Sequence, residues 1–517
     1  MASHDPSLDR DAADLAKFGY KQELKRSLGL FSSFAVAFSY ISPSTGIFTL
    51  FFLGMLALGG VLFWTWPIVA LGQFIVALNF AELSSHYPVA GSVFTWTKYL
   101  SGRTYSWFSG WIYLFAGILT VSAVVATLPL ALVPALQGLG WHGLSGSVNS
   151  MRIIALITLV VITVLNIYGV KLVAIINNTG VLFEILGMVV FAAVLMIAHN
   201  HQGAGVVTHA TSAGVSPSLF LVGMGMSLFV IYGFDTASTL AEETRNPRRE
   251  APRAVLMSVG GAFVIGAIFL LGVLMAIPDF GAAVKGGFGP AAIIDSVAHG
   301  WFSDVYLLIV SAAIFVCCLS IMTSTVRLAF GMARDNQLPL SRTLSRVSPT
   351  LHTPIWACVA VAVVAAIPFL QFAGASTIAI AATGMIYLSY FLGNTASLRA
   401  RLRGWPKVTA PFKLGAWGKP VNALALLYGG AMFLNLFWPA GSSSSLRIFT
   451  NPTAKQTNYG TGQLVNFHVG FLNSIPLLWL VLGAVLVVGA IYYYAVQAKK
   501  PWSPVIPPEE EVHAAAV

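Results

Sequence analysis

Residues 34–52 read FAVAFSYISPSTGIFTLFF, an apolar stretch with Ser42-Pro43-Ser44-Thr45-Gly46 in its middle. Its flanks predict a helix across hydrocarbon, since a bilayer core takes about 20 apolar helical residues per crossing. The insertion interrupts that helix. Proline removes a backbone donor, and hydroxyls beside a glycine offer the backbone alternatives to the helical ladder. A second break stands in MSLFVIYGFDTASTLAEE, residues 226–243, where Gly233 and the charged Asp235 fall at mid-membrane depth. Interrupted segments at matching places in two halves point to a transporter's midplane site. These two belong to the first and sixth apolar runs, which correspond if ten helices form two five-helix halves.

Working outward, runs of spanning length lie near 29–56, 61–84, 104–132, 151–169, 177–198, 216–243, 254–277, 302–331, 354–372, 376–398, 420–438 and 473–496. The third, sixth and eighth are long for a bilayer, which implies tilt or continuation into water. Composition agrees with a membrane solvent. The chain is 57% hydrophobic and 9% charged, against roughly 25% charged in an average soluble domain. The net charge of +10 is not gathered on one soluble face and implies no nucleic acid partner. It follows topology: with the N-terminus inside, 24 of the 28 lysines and arginines fall on the cytoplasmic side, leaving Arg152, Lys285, Arg447 and Lys455 outside. Both termini are therefore expected in the cytoplasm of a cell (inner) membrane, and the polar first 27 residues read as a tail rather than a signal peptide. Cys317, Cys318 and Cys358 lie inside apolar runs and read as buried thiols.

A carboxylate at membrane depth costs some ~2.5–3.5 kcal/mol on insertion scales, so each one needs a reason. Glu184 and Asp235 fall well inside runs. Asp235 follows the break, where a new helix N-terminus holds an anion well, so it reads equally as a cap or as a substrate contact. Glu184 reads as a proton carrier or as a neutral group bonded to a neighbouring helix. Glu82, Glu242 and Glu243 sit at cytoplasmic helix ends and are expected to pair with Arg245, Arg248, Arg334 or Lys98. Freed N–H groups at a half-helix start suit a substrate carboxylate, and freed carbonyls suit an ammonium. Phe229, Tyr232 and Phe234 would supply walls or a lid. Neither an HExxH pattern nor a phosphate-binding Gly-Lys loop is present, so no enzymatic activity, ATP drive, cofactor or metal is expected.

Four blocks carry a resemblance. Ser44-Thr45-Gly46-Ile47-Phe48, AELSSHYPVAGSVFTWTKYLSG (81–102), YGFDTASTLAEETRNPRREAPRAV (232–255) and RLAFGMARDNQLP (327–339) occur in order. Together they resemble the amino acid–polyamine–organocation permease superfamily, in its bacterial amino acid/choline branch. The resemblance implies an all-α polytopic fold: a five-plus-five inverted repeat with discontinuous helices one and six, plus two C-terminal helices. It implies a core at 28–400 and extra helices at 401–498, between cytoplasmic tails at 1–27 and 499–517. By position, Ser44, Thr45, Gly46 and Ile47 would cradle the substrate carboxylate, and Phe229, Val230, Ile231, Tyr232 and Gly233 would line the amine end. Ser44 stands where the family usually has glycine. Glu184 falls where some relatives carry lysine, leaving a proton site, a sodium site shared with Thr323 or Ser324, or a structural role. The implied function is secondary transport, by symport or exchange, of an amino acid, γ-aminobutyrate or a related small amine. Choline, polyamines and other organic cations are the alternatives within transport, and a channel or membrane receptor is the rival of another class. Membrane lipid is the expected surroundings, with a proton or sodium ion as possible coupling partner.

Overall fold

The computed structural model describes residues 6–141, 143, 146–286, 289–298, 300–370, 374–437 and 477–501. Arg447, Lys455 and the C-terminal tail past residue 501 lie outside the described residues. In chain order the α-helices are α1 (Pro6–Ala16), α2 (Leu30–Ile41), α3 (Pro43–Leu58), α4 (Thr65–His86), α5 (Val93–Leu100), α6 (Arg103–Gly138), α7 (Val148–Tyr168), α8 (Val170–Ala198), α9 (Pro217–Val230) and α10 (Thr236–Thr239). They continue with α11 (Pro247–Met275), α12 (Phe280–Gly286), α13 (Pro290–Val297), α14 (Trp301–Arg334), α15 (Ser341–Leu344), α16 (Ile355–Ala366), α17 (Ala375–Leu402), α18 (Gly418–Phe437) and α19 (Leu477–Ala495).

Nine helical segments among the described residues are long and apolar enough to cross a membrane. One of them, Leu30–His86, runs 57 residues and contains both the first and second apolar runs. Two shorter apolar helices, Pro217–Val230 and Ile355–Phe369, take the places of the sixth and ninth. The long third and eighth runs become single helices of 36 and 34 residues. The sixth does not: beyond its break only the single turn α10 and a 3-10 turn at Ala241–Glu243 remain helical. Short helices α12 and α13 fold the loop between the seventh and eighth crossings, a feature with no apolar run of spanning length to announce it.

Burial separates a centre from a periphery. In α6, 89% of the apolar stretch is buried, against 17% in the segment that contains α18. Large apolar side chains stay exposed on the outer helices: Ile157 on α7, Phe183 and Leu186 on α8, Leu427 on α18, and Ile491 on α19. On a soluble protein such faces would drive aggregation, whereas against hydrocarbon they meet their own kind.

Both ends of the described chain meet one face. Asp11 of α1 accepts the Asn246 N–H at 2.8 Å, and Lys500 Nζ donates to the Asn336 carbonyl at 3.2 Å. The segment entering α2 is stitched to the end of the sixth crossing, with the Leu28 N–H on the Glu243 carbonyl and the Arg245 N–H on the Leu28 carbonyl, each at 2.9 Å.

Three buried glutamates of this face are each paired with an arginine. Arg334 donates to both oxygens of Glu242 at 2.9 and 2.7 Å, one of the expected pairs. Two expectations are corrected. Glu243 pairs with Arg327, at 2.9 and 3.2 Å, and both side chains are fully buried. Glu82 pairs with Arg401 of α17 and also accepts the Leu414 N–H at 2.9 Å. Helical spacing explains the first case: Arg327 and Arg334 lie about two turns apart on one face of α14, so adjacent glutamates in a tight turn meet both. Arg248 instead pairs with Asp14 at 3.2 Å, and Lys98 with Asp335 at 2.6 Å.

Removing one partner of a buried pair strands the other, at a usual loss of about 3–5 kcal/mol. Arg327→Met is therefore expected to lower the apparent unfolding temperature of the detergent-solubilised protein sharply. Adding Glu243→Gln in the same chain should recover part of the loss, and a double variant no better than the single would show that the charge is not its source.

Candidate functional site

The first break is one residue long. Ser42 sits in the left-handed region at φ 36°, closing α2, and Pro43 opens α3. The ladder continues on either side, with the Ser42 N–H on the Phe38 carbonyl at 2.8 Å and the Gly46 N–H on the Ser42 carbonyl at 3.2 Å. The side chains answer what the backbone no longer does. Ser42 Oγ and Ser44 Oγ both donate to Glu184 Oε1 at 2.7 Å, and Ser42 Oγ lies 2.6 Å from Thr45 Oγ1. Glu184 arrives from α8, so the carboxylate of the fifth crossing is fastened to the N-terminus of α3. The Tyr40 carbonyl, near the orphaned end of α2, takes the Cys317 thiol of α14 at 3.4 Å.

The second break is wider. α9 ends at Val230, and Gly233 adopts φ 86° before α10 begins at Thr236. Glycine is required there twice over, because an added Cβ would lie 1.9 Å from Cδ1 of Tyr40. The freed Gly233 N–H donates to Tyr390 Oη at 2.9 Å. Tyr390 in turn donates to Asp235 Oδ1 at 2.5 Å, while Ser92 Oγ donates to Oδ2 at 2.5 Å and Tyr113 Oη donates to the same oxygen. Asp235 makes no side-chain capping bond on α10. Of the two readings offered by the sequence, the cap is therefore not the one adopted: three hydroxyls consume the carboxylate.

The breaks face each other. A Cβ added at Gly46 would lie 2.2 Å from Val230 Cγ2, so the start of α3 and the end of α9 approach as closely as a glycine allows. The Tyr40 and Tyr232 rings stand edge to face at 6.2 Å, Phe229 and Tyr232 at 5.9 Å, and Tyr232 Oη lies 3.4 Å from Thr120 Oγ1. Ser44, Thr45, Ile47 and the residues from Phe229 to Tyr232 are all buried.

Three expected residues sit elsewhere. Phe234 turns away to pack on Phe80 and Tyr390, at 6.0 and 5.4 Å. Thr323 donates to Asn166 Oδ1 at 2.8 Å, and Ser324 accepts from Thr236 at 3.3 Å. Neither is hydrogen-bonded to Glu184 among the described residues. The sequence reading omitted Ser42 from the site, although the quoted stretch contains it. It also omitted Tyr40, Ser92, Tyr113 and Tyr390, for which only a tyrosine or serine inside or beside an apolar run was available as a signal.

Residues 28–454 match the amino acid permease family model. Amino-acid permease BAT1 of Arabidopsis thaliana is 27% identical over 469 residues, covering 82% of this chain and 87% of the relative. Branched-chain amino acid permease BcaP of Bacillus subtilis is 27% identical over 352 residues, covering 65% and 72%. Among solved structures, MhsT in complex with L-phenylalanine shares the fold at a TM-score of 0.55 and 13% identity, over 81% of this chain and 99% of that one. A polytopic helical fold with breaks in its first and sixth crossings, and a family match over most of its length, lead to one conclusion: this chain belongs to the amino acid permease family.

Proposed function

We propose that the chain moves an amino acid or a related small amine across the membrane by alternating access, holding the solute between its two helix breaks. The observation that carries this reading is the apposition of Gly46 and Val230, with a buried carboxylate anchoring each break. The N-terminus of α3 suits a solute carboxylate, the last carbonyls of α9 suit an ammonium, and Phe229 and Tyr232 suit a side chain. The relatives BAT1 and BcaP carry amino acids in their names, which favours this class. A polyamine would need several uncommitted carboxylates, and those at the breaks are already engaged by hydroxyls. Residues 28–400 would form the transport core, in a cell membrane with both termini cytoplasmic, as the lysine and arginine distribution supports.

Glu184 bears on coupling. Its carboxylate sits at the N-terminus of α3, where the carboxylate of an amino acid substrate would also be drawn. Two carboxylates at one desolvated site favour a proton or a cation between them. Proton or sodium symport through Glu184 follows as the coupling mode.

Thermal stabilisation tests the substrate class, since a ligand at 100 times its Kd adds about 2.7 kcal/mol to the folded state. Purified protein screened against amino acids, γ-aminobutyrate, polyamines and choline should be stabilised by an amino acid or close relative. Stabilisation by choline or a polyamine alone would overturn the reading. Glu184→Gln is expected to keep the fold and abolish the dependence of that stabilisation on pH or sodium; an unchanged dependence would remove Glu184 from coupling. Gly46→Ala is expected to abolish ligand stabilisation by driving into Val230. If Val230→Ala in the same chain restores folding stability but not ligand binding, Gly46 is needed for substrate approach and not only for packing.

A further inference from the structure

Seven carboxylates among the described residues are buried, and six have partners: those of Asp11, Glu82, Glu184, Asp235, Glu242 and Glu243 are given above. Asp304 is the exception. It is 7% exposed, in the first turn of α14, and has no hydrogen-bond or ion-pair partner among the described residues. Its carboxylate lies against the last turn of α6, so closely that a Cβ at Gly138 would fall 1.8 Å from Oδ1.

The two helix ends meeting there act in opposite senses. The N-terminus of α14 favours the carboxylate, and the C-terminus of α6 adds negative partial charge beside it. No cationic side chain pairs with this carboxylate among the described residues. Asp304 and Gly138 line a cavity of about 300 Å³ on the face opposite the chain termini, together with Asp295 of α13, Gln137 and Phe48. No lysine or arginine is among its lining residues. Phe48 belongs to α3, so one wall of the cavity is carried by the helix that the first break opens.

We infer that this cavity is an antechamber in which Asp304 and Asp295 receive the ammonium end of an incoming solute and disfavour anionic solutes. The route onward rests on the transport reading above; the negative field of the cavity does not. Clefts lined by one sign of charge with low-dielectric walls raise the local concentration of the opposite ion by tenfold or more. Asp304 therefore acts on selection before the solute reaches the breaks.

The test uses a thiol placed in the cavity at Ala292→Cys, the three native cysteines being buried. The purified full chain in uncharged detergent is labelled with cationic and anionic methanethiosulfonates of similar size. The cationic reagent should react faster by about tenfold. Asp304→Asn should bring that ratio several-fold toward one, and Asp304→Glu should keep it. L-lysine should slow labelling where L-glutamate does not. A ratio near one in the parent, a ratio unmoved by Asp304→Asn, or equal protection by L-glutamate would each overturn the inference. Should Asp304→Asn fail to fold, Asp295→Asn reads the same cavity. The rate ratio requires no transported substrate, so failure of the transport reading would leave it intact and separately measurable.

Discussion

A helix interrupted inside hydrocarbon leaves N–H and C=O groups that lipid cannot answer, and the core of this molecule is arranged to answer them. Glu184 of α8 takes the hydroxyls of Ser42 and Ser44, Cys317 of α14 donates to the Tyr40 carbonyl, and Tyr390 of α17 accepts the Gly233 N–H. Tyr113 of α6 and Ser92 at the mouth of α5 complete the set around Asp235. Among the described residues, α6, α8, α14 and α17 thus each contribute a polar group at a specific place around the breaks. The outward faces of α7, α8, α18 and α19 carry exposed apolar side chains instead.

The same arrangement ties the breaks to the face that carries the chain ends. Beyond Gly233 the sixth crossing runs through a single helical turn into Glu242 and Glu243, which are clamped to Arg334 and Arg327 of α14. The Glu243 carbonyl also receives the chain entering α2 through the Ser27 and Leu28 N–H groups. Any opening on this side must part fully buried charges and break those backbone bonds. On the opposite side Asp304 is buried beside a cavity, with no partner among the described residues. One face is held by matched charges, and the other presents an unmatched one.

Much of this was legible in the residues. Hydropathy marks every crossing, because hydrocarbon tolerates only helices whose backbone groups are satisfied along the segment. Pro43 and Gly233 announce the breaks through local backbone chemistry, one lacking a donor and the other permitting positive φ. Glu184 and Asp235 stand out as charges in runs that otherwise have none. Less was legible for the sixth crossing: the run was expected to resume as a helix past its break and continue to residue 243, whereas only the turn α10 and a 3-10 turn follow.

Local composition and order determined by themselves that this chain crosses a membrane many times and where its first and sixth helices break. Only the tertiary structure decided what each charge meets. Arg327 and Arg401 look like ordinary basic residues at helix ends until α14 and α17 set them against Glu243 and Glu82. Ser42 looks like a turn residue until α8 brings Glu184 to it across 142 positions of sequence. The physical reason is the same in each case: a break depends on residues beside it in the chain, whereas a partner depends on which helices are neighbours in space.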